Sequence, residues 1–475
     1  MVNLDFAKGR TYAVMGLGKS GAAAARALAR AGAAVLAWDD TEAGRSRVVG
    51  MPGVELVDLT VRGLGDVDAL VLSPGIPHTH PAPHPVAADA KTRDLSIVGD
   101  VELLLRALPD RRVVAITGTN GKSTTTALIG HILAEAGLPV QVGGNLGRPA
   151  LEFEDPGRDG VLVLELSSYQ LEITPSLAPT VAILLNITPD HIERHGTFAG
   201  YIAAKRRIFS HQSPGSFAVI GVDDEPSHDV AEKLRRDGRR LIEISGQEQV
   251  VGGVYADHGV LIDARTGQPK RIVDLERAPA LPGIHNAQNA AAAAAACLAL
   301  GLSSDAIAAA IASFPGLAHR LERVAVTGTV TYVNDSKATN ADATARALAC
   351  YDPIYWIAGG RAKEGGIEPL APLFGRVKRA YLIGESAGAF VRQIGDACPT
   401  VLCRTLDSAV RQAHADAQKD GLRGATVLLS PAAASFDQFP NFEMRGEEFR
   451  SLVHDLTGGD GGGIGGGIGE HRRAS

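Results

Sequence analysis

Residues 113–126, VVAITGTNGKSTTT, combine the residue types needed to hold a polyphosphate. Gly118 and Gly121 let backbone N–H groups converge on an anion, with Thr119 and Asn120 between them. Lys122 supplies a point charge for β- and γ-phosphates, and the hydroxyl of Ser123 or Thr124 is a ligand type that Mg²⁺ accepts. The loop departs from the generic G-x-x-x-x-G-K-[ST] pattern, because Ile116 stands where the first glycine would be. Further along, Glu165 closes the apolar run 161–164, and a carboxylate at a strand end beside a phosphate loop is placed to hold Mg²⁺. His191 follows Asp190 just after the run 181–185 and Asn186, where a functional role is expected. Lys205 stands beside Arg206 and Arg207, and by local sequence alone it reads as part of a solvated face. Asn145, in GGNLG, offers an amide to a ligand.

A second glycine loop, GLGKSG at 16–21, lies between a β-like run and an Ala-rich helix, with Asp39 about twenty residues on. This spacing holds a diphosphate on the helix N-terminus and a ribose near Asp39; NAD and a UDP-sugar satisfy it equally. Leu17 and Gly18 sit in that loop, and Ser73 opens SPGIP, a stiff turn able to close over the same ligand. A third set of polar loops follows short strands: DSKATN at 335–340, GGRAK at 359–363 and SPAAASFDQF at 430–439. Ligands of open α/β sheets bind outside the carboxyl ends of strands, so these loops describe another substrate site. Arg320, in HRLE, stands at the boundary before them, where it reaches a phosphate only as domains close.

The elements that must position these residues alternate strand and helix. Strands are expected at 11–15, 34–38, 69–72, 113–116, 140–142, 161–164 and 181–185, and again at 330–334, 354–358, 379–383 and 425–429. Residues 216–282 read as short β-like runs with turns, an added antiparallel sheet, and 290–300 as a buried Ala-rich helix. A length of 475 residues fits about three domains. The expected fold is α/β with a Rossmann-like domain at 1–98, a central P-loop ATPase-like parallel sheet with the added antiparallel sheet at 99–316, and a Rossmann-like domain at 317–457. The Gly-rich residues 458–475 are expected to be a disordered tail. A net charge of −6 argues against a nucleic-acid partner. Residues 1–10 carry charges where a signal peptide needs an apolar core, and no run is long enough to span a membrane. The four cysteines show no C-x-x-C pair, so neither a disulfide framework nor a zinc site is indicated. A cytoplasmic monomer is expected.

Taken together, ITGTNGKST, GGNLG, LELSSYQLE, LNITPDHIERHG, HRLE, VNDSKATN and LLSPAAASFDQFPNFEMRG occur in an order that resembles the Mur ligases of bacterial cell-wall synthesis. NDSKATN with SPAAASFDQF is similar to the branch that adds D-glutamate; the DNPR-type signature of the diaminopimelate-adding branch is absent. The resemblance implies an ATP-dependent amide ligase that activates UDP-N-acetylmuramoyl-L-alanine as an acyl phosphate and joins it to D-glutamate. It implies Lys122 on the ATP phosphates, one Mg²⁺ on Ser123 or Thr124 and Glu165, and a second Mg²⁺ on His191 and a carbamylated Lys205. Asn289, Arg320 and Asp335 would contact ATP, and Asn145 and Ser167 the muramoyl substrate. Lys337, Thr339, Lys363, Ser435 and Phe442 would surround D-glutamate, and Leu17, Gly18, Asp39 and Ser73 the uridine diphosphate. Gly365-Gly366 after Lys363 departs from the family pattern. An amide ligase for another amino acid or for folate is the alternative enzyme. A nucleotide-binding regulator without turnover is the alternative class, and it has no use for Glu165, His191 and Lys205 together.

Overall fold

The computed structural model describes residues 2–145 and 147–458. Residues 459–475, most of the expected tail, and Leu146 of the GGNLG turn lie outside the described residues. The chain forms two compact units, Met1–Ala278 with Ile284–Ser313, and Pro279–Gly283 with Phe314–Ser475. The first unit holds two sheets and the second holds one.

The first sheet is all parallel, in the spatial order Val54–Leu56, Ala34–Trp38, Thr11–Met15, Ala69–Leu72, Ile97–Val98. The chain order reverses direction between Thr11–Met15 and Ala69–Leu72, and at such a switch point the strand ends leave a crevice. Both polar turns expected there, GLGKSG and SPGIP, leave these two strands.

The second sheet has nine strands. Arg112–Thr117 lies between Val161–Glu165 and Val181–Leu184, and its register sets Ile116 beside Glu165. Val161–Glu165 is buried on both faces, as its unbroken apolar run requires. The sheet continues in parallel through Phe217–Gly221 and Arg240–Ser245 to Val254–Asp257, and only Val260–Asp263 and Lys270–Asp274 turn antiparallel. The expected antiparallel addition is therefore the far edge of this same sheet, and residues 217–245 belong to its parallel part. Helix Glu225–Arg236, capped by Asp224, makes the crossover that parallel pairing demands. The strand read at 140–142 runs on as Val140–Gly144, because Gly144 allows the Glu165 carbonyl close beside it; a Cβ there would lie 2.5 Å from that oxygen. The Ala-rich helix is Ile284–Ala299, and Ala290 to Ala296 are fully buried.

The third sheet has the order Glu322–Thr327, Val330–Asn334, Thr426–Leu429, Ile354–Gly359, Val377–Ile383, Thr400–Arg404, parallel except for the first pair. The two strands the sequence did not announce, Glu322–Thr327 and Thr400–Arg404, are its edges. The α/β class and the alternation of strands and helices agree with the expectation. Among the described residues no helix is long and apolar enough to cross a membrane.

Gly21 and Gly18 give a contrast within one loop. A Cβ on Gly21 would lie 1.8 Å from the Gly16 carbonyl oxygen, whereas one on Gly18 would meet nothing within 4 Å. Gly21→Ala should therefore destabilise the protein by more than about 2 kcal/mol, read as a lowered Tm, while Gly18→Ala stays near the wild type.

Candidate active site

The phosphate loop is built around Gly118, whose φ of 152° only glycine adopts readily, and Gly121, whose φ of 84° starts helix Lys122–Glu135. Lys122 Nζ donates to the carbonyls of Gly118 at 2.9 Å and Thr119 at 2.8 Å. Lys205 Nζ donates to the same Gly118 carbonyl at 2.8 Å. Two lysine amines thus share one acceptor. Lys205 is 1% exposed, lies over the Tyr201 ring at 4.7 Å, and is not a solvated lysine. Burial, helped by the charge of Lys122, holds its amine well below the usual lysine range. Thr119 and Asn120 are fixed from the next strand end. Thr119 N–H donates to Asn186 O at 2.9 Å, and Asn120 N–H to Asn186 Oδ1 at 2.8 Å. Thr119 Oγ1 accepts the Thr188 N–H at 3.0 Å and meets Tyr201 OH at 3.1 Å. Asn289 sits under the helix start, accepting from Thr125 Oγ1 at 3.3 Å and donating to Asn286 at 3.0 Å.

Ser123 is buried and Thr124 half-buried at that helix start. Glu165, on the adjacent strand, accepts from Asn145 Nδ2 at 2.7 Å through Oε1, while its buried Oε2 has no hydrogen-bond partner among the described residues. A buried carboxylate oxygen left over on the strand next to the one that feeds the phosphate loop fits a hard cation that keeps several waters. Among the described residues no group of three or more His, Cys, Asp or Glu is gathered as a metal cage. Ser167 caps helix Ser168–Glu172 in a reciprocal box with Gln170, which fixes the chain just past Glu165. His191 is exposed with φ 51°, and its ring stands 5.1 Å from that of Tyr169 and 6.5 Å from that of Tyr201. His191 and Lys205 therefore flank one tyrosine, Tyr201.

In the first sheet's crevice, Asp39 is committed to the loop. Its carboxylate accepts from Leu17 N–H at 2.6 Å and from Thr41 N–H at 2.8 Å. Ser73 Oγ donates to Gly16 O at 2.8 Å across the switch point, and Gly18 caps the helix with its N–H end open. Asp39 thus shapes the glycine loop as well as bordering the crevice.

In the second unit, Asp335 accepts from Ser430 Oγ at 2.8 Å and Leu321 N–H at 3.2 Å. Burial pushes its carboxyl up to about 7, against those bonds and the charge of Arg320. Lys337 Nζ lies 3.9 Å over the Phe442 ring, and Thr339 N–H returns to Lys337 O at 2.9 Å. Ser435 is 2% exposed and its hydroxyl has no hydrogen-bond partner among the described residues. Lys363 is exposed on its loop, whose Gly365-Gly366 turn is held by Gln393. Arg445 is buried and donates to Ser336 Oγ and O and to Ala433 O, tying the DSKATN and SPAAAS loops together.

Residues 116–297 match the family described as the Mur ligase middle domain, and 319–433 the Mur ligase, glutamate ligase domain. The chain is 53% identical over 459 residues to the UDP-N-acetylmuramoylalanine--D-glutamate ligase of Paramagnetospirillum magneticum, covering 97% of this chain and 99% of that one. It is 53% identical over 454 residues to the enzyme of the same name from Rhodospirillum rubrum, covering 94% and 95%. The chain belongs to the Mur ligase family. The fold agrees: the structure of UDP-N-acetylmuramate-alanine ligase MurC from Thermotoga maritima matches at TM-score 0.57 and 16% identity, over 94% of this chain and 99% of that one.

Within this Mur ligase the structure gathers Lys122, Lys205, Gly118, Thr119, Asn120 and Asn289 at one loop, with Glu165 and Asn145 on the neighbouring strands. Asp335, Lys337, Phe442 and Ser435 belong to the second unit's loops. Sequence reasoning missed Asn186, Tyr201 and Arg445 as site-builders. Asn186 had the signal of a strand-end amide; the buried ring of Tyr201 and the long reach of Arg445 had none. Asp335 also gives this Mur ligase a pH signature. Its folded pKa of about 7 lies above the ordinary 3.8, so its stabilising contribution is fully present below about pH 4 and is lost as pH rises through 7. Asp335→Asn keeps the acceptor for Ser430, so its Tm should gain on the wild type between pH 5 and 8; parallel Tm curves would remove that linkage.

Proposed function

We propose that the protein is an ATP-dependent ligase that joins D-glutamate to UDP-N-acetylmuramoyl-L-alanine in peptidoglycan precursor synthesis, acting as a cytoplasmic monomer. The observation that carries the reading is the phosphate loop of Lys122 with a buried Lys205 on the same carbonyl, in a chain alike over nearly its whole length to ligases of that name. Each sheet is read as the domain of one substrate: 1–98 for the uridine diphosphate, 99–316 for ATP, 317–457 for D-glutamate.

A carboxylate is a poor electrophile, so the L-alanyl carboxylate first takes the γ-phosphoryl group of ATP, leaving ADP. The D-glutamate amine then adds to the acyl phosphate, and phosphate leaves as the amide forms. Such chemistry asks the protein for positioning and for neutralisation of charge. Lys122 exchanges its loop carbonyls for the β- and γ-phosphates, which also meet the open N–H groups at the start of helix Lys122–Glu135. Ser123 or Thr124 with Glu165 would hold one Mg²⁺, and His191 with Lys205 a second, which together would offset the phosphate charge. An ammonium cannot ligate a cation, so Lys205 would serve as its carbamate, formed from the neutral amine and CO₂ with loss of one proton. The lowered basicity of Lys205 supports that step. Asn145 and Ser167 would orient the muramoyl group, and Leu17, Gly18, Asp39 and Ser73 the uridine diphosphate. Asn289, Arg320 and Asp335 would hold the nucleotide. Lys337 and Lys363 would face the carboxylates of D-glutamate, with Thr339, Ser435 and Phe442 fixing its hand. The unpaired Ser435 hydroxyl is available for a ligand carboxylate.

With UDP-N-acetylmuramoyl-L-alanine, ATP and Mg²⁺ present, phosphate release should require D-glutamate and fail with L-glutamate or other amino acids. Release driven better by another amino acid would overturn the substrate assignment. Lys122→Ala should lower kcat roughly 10²–10³-fold or more, with binding of UDP unchanged by calorimetry.

A further inference from the structure

His191 sits in a left-handed turn that a residue with a side chain holds only when its surroundings over-determine it. The turn closes on its own bonds: His191 O accepts the N–H groups of Arg194 at 3.0 Å and His195 at 3.3 Å, and Asp190 Oδ1 accepts the His191 N–H at 3.0 Å. The following two side chains anchor it. Arg194, 6% exposed, reaches back 118 positions to the Ile76 carbonyl in the SPGIP turn at 3.0 Å. The same nitrogen meets His78 Nδ1 at 3.4 Å, and the guanidinium lies 5.0 Å over the Tyr169 ring. His195 stacks on the same Tyr169 ring at 5.4 Å, and its Nε2 meets Ser168 Oγ at 2.9 Å.

Glu172 closes the junction. One carboxylate oxygen lies 3.4 Å from His195 Nδ1 and the other 3.8 Å from His78 Nε2. The directions are consistent throughout. His78 accepts from Arg194 at Nδ1, so its Nε2–H faces Glu172; His195 gives Nδ1–H to Glu172, so its Nε2 accepts the Ser168 hydroxyl. Burial pushes the His78 imidazole down to about 4, which keeps it in that neutral form. The SPGIP turn and the His191 turn are thereby joined by the Arg194 bond to the Ile76 carbonyl, with the Glu172 carboxylate between His78 and His195, around the Tyr169 ring that His191 itself touches.

We propose that Arg194 and Glu172 are positioning residues that transmit occupation of the diphosphate crevice to His191, so that the phosphoryl-transfer site is set only when the sugar nucleotide is bound. The inference rests on the functional reading above, in that the crevice must take a uridine diphosphate. A ligand closing the SPGIP turn would displace the Ile76 carbonyl and His78, and Arg194, bonded to both, would move with them, with Glu172 packed beside His78 and His195.

The test uses the full chain with labelled histidine, the His191 signals being assigned by their absence in His191→Gln. UDP alone should shift the His191 ring signals in the wild type. In Arg194→Gln, UDP should bind with unchanged affinity by calorimetry while that shift disappears. In turnover, Arg194→Gln should lower kcat by roughly 10- to 100-fold, with KM for the UDP-sugar and for ATP little changed. If Arg194→Gln fails to fold, Glu172→Gln keeps the shape and must reduce the His191 response by at least about half. A response that persists in the variants, or UDP binding to the wild type without one, overturns the coupling alone. No binding of UDP to the wild type overturns the coupling and the functional reading together.

Discussion

The carbonyl oxygen of Gly118 receives two lysine amines, and the rest of the first unit's site follows from that crowding. Two ammonium groups on one acceptor repel, and the cost grows where water is excluded. Burial decides which of them yields. Lys205 is enclosed beneath Tyr201 and the phosphate loop, and burial lowers the basicity of its amine; Lys122 is only half-buried, at the start of the helix. The glycine at 118 is obligatory for the same reason, since its backbone turns the carbonyl toward both amines at a φ of 152°. Asn186 then locks Thr119 and Asn120 from the adjacent strand, so the loop has its shape before any ligand arrives.

The second unit reaches the same end by other means. Arg445 is a buried cation with carbonyl and hydroxyl acceptors, and burial lowers it to about 10. It trades charge pairing for geometry, holding two loops at the carboxyl ends of Val330–Asn334 and Thr426–Leu429. Lys337 and Ser435 stand on those loops. A polar hydroxyl buried without a partner is costly to leave, and a ligand that accepts or donates there recovers the loss.

Much of this was legible in the sequence because strand-end loops carry local signals. TGTNGKST, GLGKSG and SPGIP announce their turns through glycine and proline, and apolar runs such as 161–164 announce buried strands. What stayed hidden depends on partners far along the chain. Nothing near Arg194 says that it meets Ile76, and nothing near Lys205 distinguishes it from Arg206 until the fold buries it. Glu322–Thr327 was not among the expected strands because it directly follows the HRLE boundary and its ERVAVT run has neither a clean alternation nor a continuous apolar stretch. Residues 217–245 looked like an added sheet because short strands separated by turns do not reveal their direction; the intervening helix Glu225–Arg236 does.

The proposed carbamate on Lys205 rests on a buried amine whose basicity the fold lowers. The direct measurement is a ¹³C spectrum of the full-length protein equilibrated with ¹³C-bicarbonate, set against Lys205→Arg, which keeps the charge but forms no carbamate. The account predicts one protein-bound carbamate carbonyl signal in the wild type that is missing in Lys205→Arg. A wild-type spectrum without that signal at saturating bicarbonate, or one unchanged by the substitution, would contradict it.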